Sequence, residues 1–393
     1  MASTIADLVR VMNTIAPEQM AESWDNVGLL VGSHADALTG PVMLTIDLTG
    51  AVVDEAIALK AAALIVYHPP IFKPVSRLTD RAPVHGALLR AVRAGMAIYS
   101  PHTALDAAPG ALCDWLSDAV LGLTPQSTGR PEASRNAGAD RRALTPGRVI
   151  SPTAEVKIVT FVPAVDAERV RNALASAGTG RIGNYSVCSF TTPGEGTFLG
   201  NADSAPRVGH AQHLETVGEL RLEMVCSRHA LALALETLRQ FHPYETPAID
   251  VIPLEPQPVR SSGTGRRLVL DAPATLSELA SRLRSTLAIP HVAIAPAIGR
   301  AADSPIRVVG VCPGSGGELA QSALNEGCDA FVTGEMRHHD ALAMTQQGLS
   351  LILAGHTNTE RGYLPLLAER LGSALPAARF IVSKADRDPV LPL

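Results

Sequence analysis

The sequence predicts an α/β protein in which two similar outer segments are interrupted by a self-contained insertion. Three observations predict it. Short apolar runs alternate with helical periodicity both before residue 123 and after residue 267, as in strand–helix–strand units that build a largely parallel sheet. One phrase, a histidine followed by threonine with a carboxylate four residues on, occurs at His102–Asp106 and again at His356–Glu360, each time after an apolar run. Between the copies the texture changes twice, and residues 154–255 read as β-α-β-β-α-β, the ferredoxin-like order.

In chain order, Thr4 to Asn13 has helical periodicity with polar residues interspersed. Trp24, Asp25 and Asn26 precede a short strand, where such side chains either cap a turn or belong to a site. The strand Val42 to Leu48, a helix from Gly50 to Ala61 and the strand Ala63 to His68 follow, with Pro69-Pro70 ending the last. Helices are expected over Arg81–Ala94 and Ala108–Leu121, the second carrying Trp115 into the core. Residues 124–153, rich in Ser, Thr, Gly, Pro and Arg, read as a flexible linker, and 256–266 as a second one. The organisation expected is therefore an N-terminal half (1–123), a linker, the insertion (154–255), a linker, and a C-terminal half (267–393).

At 393 residues the chain is long enough for two or three domains, and 46% hydrophobic against 18% charged residues suits compact cores. A net charge of -5 offers no global attraction to nucleic acid, which is disfavoured as a partner. The five cysteines form no C-x-x-C pair, so a reducing compartment without a disulfide frame is expected. No uncharged apolar run approaches the roughly 18 residues of a membrane span, and the N-terminal segment lacks a signal-peptide core, which together predict a cytoplasmic protein.

The chemistry lies in the histidines and acids. Residues four apart on a helix lie about 40° apart around the axis, one turn above the other, so each pair can reach one cation. His68 ends its strand, and ligands of open α/β sheets gather beyond the carboxyl ends of strands. Imidazole and carboxylate donors without thiolates suit zinc, iron(II), manganese or cobalt. A divalent cation at such a site lowers the pKa of bound water and polarises oxygens, the chemistry of hydrolysis. There is no G-x-S-x-G elbow, no Walker A loop and no H-E-x-x-H helix. The run Pro313-Gly-Ser-Gly-Gly317, between a strand and a helix, is either an anion cradle or a tight turn.

Five motifs in order, Glu22–Leu29, Tyr67–Phe72, Ser100–Ala108, Thr333–Asp340 and Gly355–Arg361, resemble the Nif-three-like dinuclear metal-centre family, whose members often carry the name GTP cyclohydrolase type 2 homologue. The insertion, with Gly180–Tyr185 and Phe241–Glu245, is similar to that of longer members. The resemblance implies one Nif-three-like core built from the two halves, a homohexamer, and one or two divalent metal ions per chain held by His68, Asp106, His356 and Glu360. Tyr67 stands where many members have a second histidine, and His102 either substitutes as a ligand or orients Asp106. Glu335, His338 and His339 are candidates for proton transfer, the two histidines also for holding a substrate phosphate. The function implied is metal-dependent hydrolysis of a small-molecule substrate, a nucleotide or another phosphorylated compound, with GTP ring opening the reaction the family name suggests. The alternative is a non-enzymatic metal-binding scaffold or regulatory adaptor.

Overall fold

The computed structural model describes residues 3–123, 139–149 and 151–390. Two compact units result, one from residues 1–147 with 259–393 and one from 148–258. The fold is mixed α/β.

The first sheet of the larger unit runs in the order Gly28–Val31, Ala97–Ser100, Ala63–Val66, Val42–Thr45, Phe380–Val382. Its four last-named strands are parallel, and Gly28–Val31 is antiparallel to its neighbour. The three central strands are buried throughout, because both faces are covered. Alternate residues serve the two faces: Leu44, Ile65 and Tyr99 enter one cluster, while Met43, Leu64 and Ile98 pack with Val52, Val53 and Leu88 of the helices Gly50–Ala58 and Pro83–Arg93.

The second sheet runs Ala293–Ala295, Ser350–Leu353, Ala330–Thr333, Pro305–Val311, Arg266–Thr275, Ala139–Arg142. It repeats the plan of the first, with an antiparallel edge strand followed by three parallel strands. The strand preceding His356 thus has the place of the strand preceding His102. One hydrophobic cluster includes Leu8, Ile65 and Leu116 from the N-terminal half and Leu268, Val309 and Leu367 from the C-terminal half, so the halves share a core. Trp115 belongs to it, 6.2 Å from the Tyr363 ring.

The expected linkers need correction. Residues 124–138 lie outside the described residues, but Ala139–Arg142 is a strand of the second sheet, paired with Arg267–Leu270. Thr145–Val149 and Gln257–Thr264 form a two-stranded ribbon, so 256–266 is sheet as well. The Gly, Ser and Pro content that suggested loops is tolerated because these are edge or ribbon strands. The last strand, Phe380–Val382, joins the first sheet beside Val42–Leu44, a pairing that crosses the expected boundary between halves.

In the smaller unit an antiparallel sheet has the order Ile249–Pro253, Val156–Val162, Leu214–Cys226, Phe190–Leu199. Helices Ala167–Ser176 and Arg228–Phe241 bury Val170, Leu174, Ala234 and Leu238 against Ile158, Leu222 and Met224. Among the described residues no helix is long and apolar enough to cross a membrane.

Candidate metal centre

Polar residues cluster where the parallel strands end. Asp47, His68 and His102 each stand two residues beyond the strands ending at Thr45, Val66 and Ser100. In the second sheet Glu335 stands two residues beyond Thr333, and His356 three beyond Leu353. Strand register therefore makes Glu335, not His338 or His339, the counterpart of His68.

Each of the three imidazoles is held from behind by an acid. The Nδ1 of His68 donates to Asp47 Oδ1 at 2.9 Å, that of His102 to Asp25 at 2.9 Å, and that of His356 to Glu335 Oε1 at 2.9 Å. A carboxylate on Nδ1 fixes the ring and turns Nε2 into the free donor. His356 Nε2 lies 3.3 Å from Glu360 Oε1, and His68 Nε2 lies 3.7 Å from Glu360 Oε2. One ligand atom each from His68, His356 and Glu360 falls within 4.8 Å of the others.

This set fits a divalent cation. Glu360 is only 3% exposed, and its Oε2 has no hydrogen-bond partner among the described residues. A buried carboxylate with one oxygen orphaned and one imidazole nitrogen near each oxygen is costly unless something cationic is shared with it. Without a cation, the two imidazoles carry the compensating charge. Burial works against a protonated His68, but Asp47 and Glu360 outweigh it and raise the pKa to about 10. Glu360, then Glu335, raise His356 to about 9 against its own burial. Burial opposes ionisation of Glu360, yet the two histidines hold its carboxyl below the ordinary range.

Asp106 and His102 are adjacent but do not join that cluster. Asp106 Oδ1 accepts a 2.7 Å hydrogen bond from the Tyr67 hydroxyl. Burial, then the neighbouring Asp106 and Glu360 carboxylates, keep Tyr67 a phenol by raising its pKa well above the usual 10. Burial also pushes Asp106 up to about 6, with His102 and the Tyr67 hydrogen bond pulling the other way. His102 has an uncommon positive φ of 21°, a conformation that its neighbours must hold. Asp25 does so, accepting from the His102 ring and from the Thr103 backbone N–H at 3.1 Å.

The helical geometry expected for the second pair is replaced by something tighter. His356 to Glu360 spans the 3₁₀ turn Thr357–Thr359, not an α-helix. Thr359 Oγ1 donates to His356 O and Asn358 Nδ2 to Ala354 O, so side chains take backbone acceptors that a helix would use. The glycine run 313–317 is a tight turn rather than a free anion cradle. The Gly314 and Gly316 amides already donate to Thr359 Oγ1 and Thr333 Oγ1, at 2.8 and 2.9 Å. Gly314 has a φ of +60°, and a Cβ there would lie 2.6 Å from Glu360 Oε1, so this turn walls the carboxylate.

His338 and His339 begin the helix His338–Gln346, exposed, with their rings 5.5 Å apart. Neither hydrogen-bonds to His68, His356 or Glu360 among the described residues. Asp47 escaped the sequence reading, its only signal being a charged residue at the end of an apolar run. Asp25, read as a turn or a site residue, accepts from the Asn26 amide and from the His102 ring.

The family model for Duf34/NIF3 (NGG1p interacting factor 3) matches residues 3–389. The chain is 33% identical over 387 residues to NIF3-like protein 1 of Rattus norvegicus, covering 98% of this chain and 91% of that one. It is 33% identical over 381 residues to a GTP cyclohydrolase 1 type 2 homolog of Mycobacterium tuberculosis, covering 96% and 94%. Among solved structures it is similar to a Bacillus cereus protein related to NIF3, with a TM-score of 0.66 and 27% identity over 100% of both chains.

Proposed function

The chain belongs to the Duf34/NIF3 family, and from that premise we propose that it is a metal-dependent hydrolase acting on a nucleotide or another phosphorylated small molecule. The observation that carries this reading is the convergence of His68 and His356 on the buried Glu360 carboxylate, one oxygen of which has no partner among the described residues. A bound cation would supply Lewis acidity toward a substrate oxygen and a water of lowered pKa.

The protein's own residues do the rest. Asp47 and Glu335 hold the His68 and His356 rings so that both Nε2 atoms face Glu360. Glu335 is thereby a positioning residue rather than a free acid. His102, held at Nδ1 by Asp25, keeps Nε2 available to move a proton at the substrate. Tyr67 occupies Asp106 by hydrogen bonding, which supports a single cation per chain held by the other three residues.

That same bond favours a second reading, a non-enzymatic metal-binding scaffold, because it removes a carboxylate from the ligand set. One experiment separates the two. The protein loaded in turn with manganese, iron or zinc is incubated with GTP and a panel of nucleotides, alongside His102→Gln. Turnover that falls at least about a hundredfold in His102→Gln, with metal content unchanged, supports the hydrolase. Full loading with no turnover of any panel member supports the scaffold.

A further inference from the structure

The chain contains two tryptophans, and they are used in opposite ways. Trp115 is buried in the shared core, whereas Trp24 is 57% exposed. Phe72, 44% exposed, stands beside it with ring centroids 5.9 Å apart and planes at 58°. Both rings also meet His102 edge-on, at 6.2 and 6.4 Å. Three rings thus form an open corner. From His102 the series of rings continues to His68 at 5.5 Å and from His68 to His356 at 5.5 Å, so the corner leads directly onto the candidate metal ligands.

The exposure is not the result of frayed loops. Asp25, next to Trp24, is fully buried at its carboxylate and accepts from His102 and from the backbone and hydroxyl of Thr103. Asn26 donates from its side-chain amide to the carbonyl of Ile71, tying the Trp24 loop to the Phe72 loop. Two anchored backbones therefore present two large aromatic rings to solvent. Leaving such surface uncovered is unfavourable unless something planar or apolar is received there.

We propose that Trp24 and Phe72 form a stacking corner for a planar heteroaromatic ring, such as a nucleobase, which positions the substrate so that its reacting atom reaches the centre at His68, His356 and Glu360. The assignment rests on reading that centre as a substrate site, and it names the class of substrate. A π-face stacks on an indole without regard to hydrogen-bonding pattern, so the corner selects for planarity and leaves finer choice to polar groups. Both residues act by stacking on the substrate, with the His102 ring beside them.

The test uses the full-length protein without added substrate chemistry. Emission of Trp24, separated from that of buried Trp115 by its red-shifted edge and identified by its loss in Trp24→Phe, is titrated with guanosine, with adenosine, and with ribose 5-phosphate as the non-planar control. The proposal predicts saturable quenching by both nucleosides and none by ribose 5-phosphate. Phe72→Ala should weaken nucleoside binding about tenfold, with affinity restored by Phe72→Tyr and with an unchanged melting temperature. Equal response to ribose 5-phosphate, no saturable quenching, or wild-type affinity in Phe72→Ala would overturn it. So would a blue-shifted, acrylamide-protected Trp24 in the native protein, which would mean that another copy of the chain covers the corner. Running the titration with and without manganese separates the two readings: quenching that persists while nucleotide turnover is absent keeps the stacking corner and removes the hydrolase.

Discussion

His68 and His356 show how single side chains set the behaviour of the centre. With pKa values of about 10 and about 9, both imidazoles are protonated at neutral pH when no cation is bound. A cation takes the neutral form, so its binding must release those protons. Metal affinity should therefore rise with pH from about 6 to about 9, and calorimetry at neutral pH in buffers of different ionisation enthalpy should report up to about two protons released per ion. The metal-free protein shows the opposite sign. Because the folded pKa values lie above the ordinary 6.5, the stability they contribute is complete below 6.5 and is lost as pH rises through 9 and 10. A melting temperature of the metal-free chain that rises through that window in the wild type, but not in His68→Ala, would contradict this. The sequence exposed His68, His356 and Glu360 because each sits in a local phrase. It concealed the acids behind the rings, since Asp47 is 21 residues from His68 and Glu335 is 21 from His356, contacts that only strand order creates.

Among the elements, the strands near the expected linkers carry the most information. Arg266 opens the strand Arg266–Thr275 and is almost fully buried. It donates to Asp114 Oδ2 at 3.0 Å and Oδ1 at 3.2 Å, and to the carbonyls of Gly263, Gly265 and Ala108. Asp114 belongs to the helix Leu112–Leu121, so one guanidinium ties the C-terminal half to the N-terminal half. Removing one partner of a buried pair leaves the other uncompensated, and Arg266→Met should destabilise the protein by about 3 kcal/mol in urea or thermal unfolding. Arg141 also reaches Asp114, at 3.3 Å, which keeps part of the carboxylate's charge compensated and limits the loss. A midpoint equal to wild type would show that the pair contributes nothing net. The Ser-Ser-Gly-Thr-Gly composition just before Arg266 hid this. Composition reports local flexibility, whereas the ribbon owes its order to partners more than 100 residues away in the chain.

The whole molecule was legible as a mixed α/β fold of the family its motifs resemble, because hydrophobic periodicity and those motifs are local in the chain. The equivalence of the halves was legible only in part. Matching strand orders place His102 with His356, yet Asp106 is hydrogen-bonded by Tyr67 while Glu360 faces two imidazoles. All the proposed ligands and their supporting acids belong to the unit formed by residues 1–147 and 259–393. Replacing 154–255 with a short flexible linker should therefore leave metal stoichiometry unchanged. Loss of metal from a variant that still unfolds cooperatively would show that the inserted unit helps to build the site.

The central claim is that His68, His356 and Glu360 hold one cation and that Tyr67 keeps a second from binding. Metal content per chain, measured on the protein as isolated by inductively coupled plasma mass spectrometry, tests it most directly. The account predicts close to one ion in the wild type, close to two in Tyr67→His, and none in the double variant His356→Ala, Glu360→Ala. Two ions in the wild type, unchanged by Tyr67→His, or an ion retained in the double variant, would contradict it.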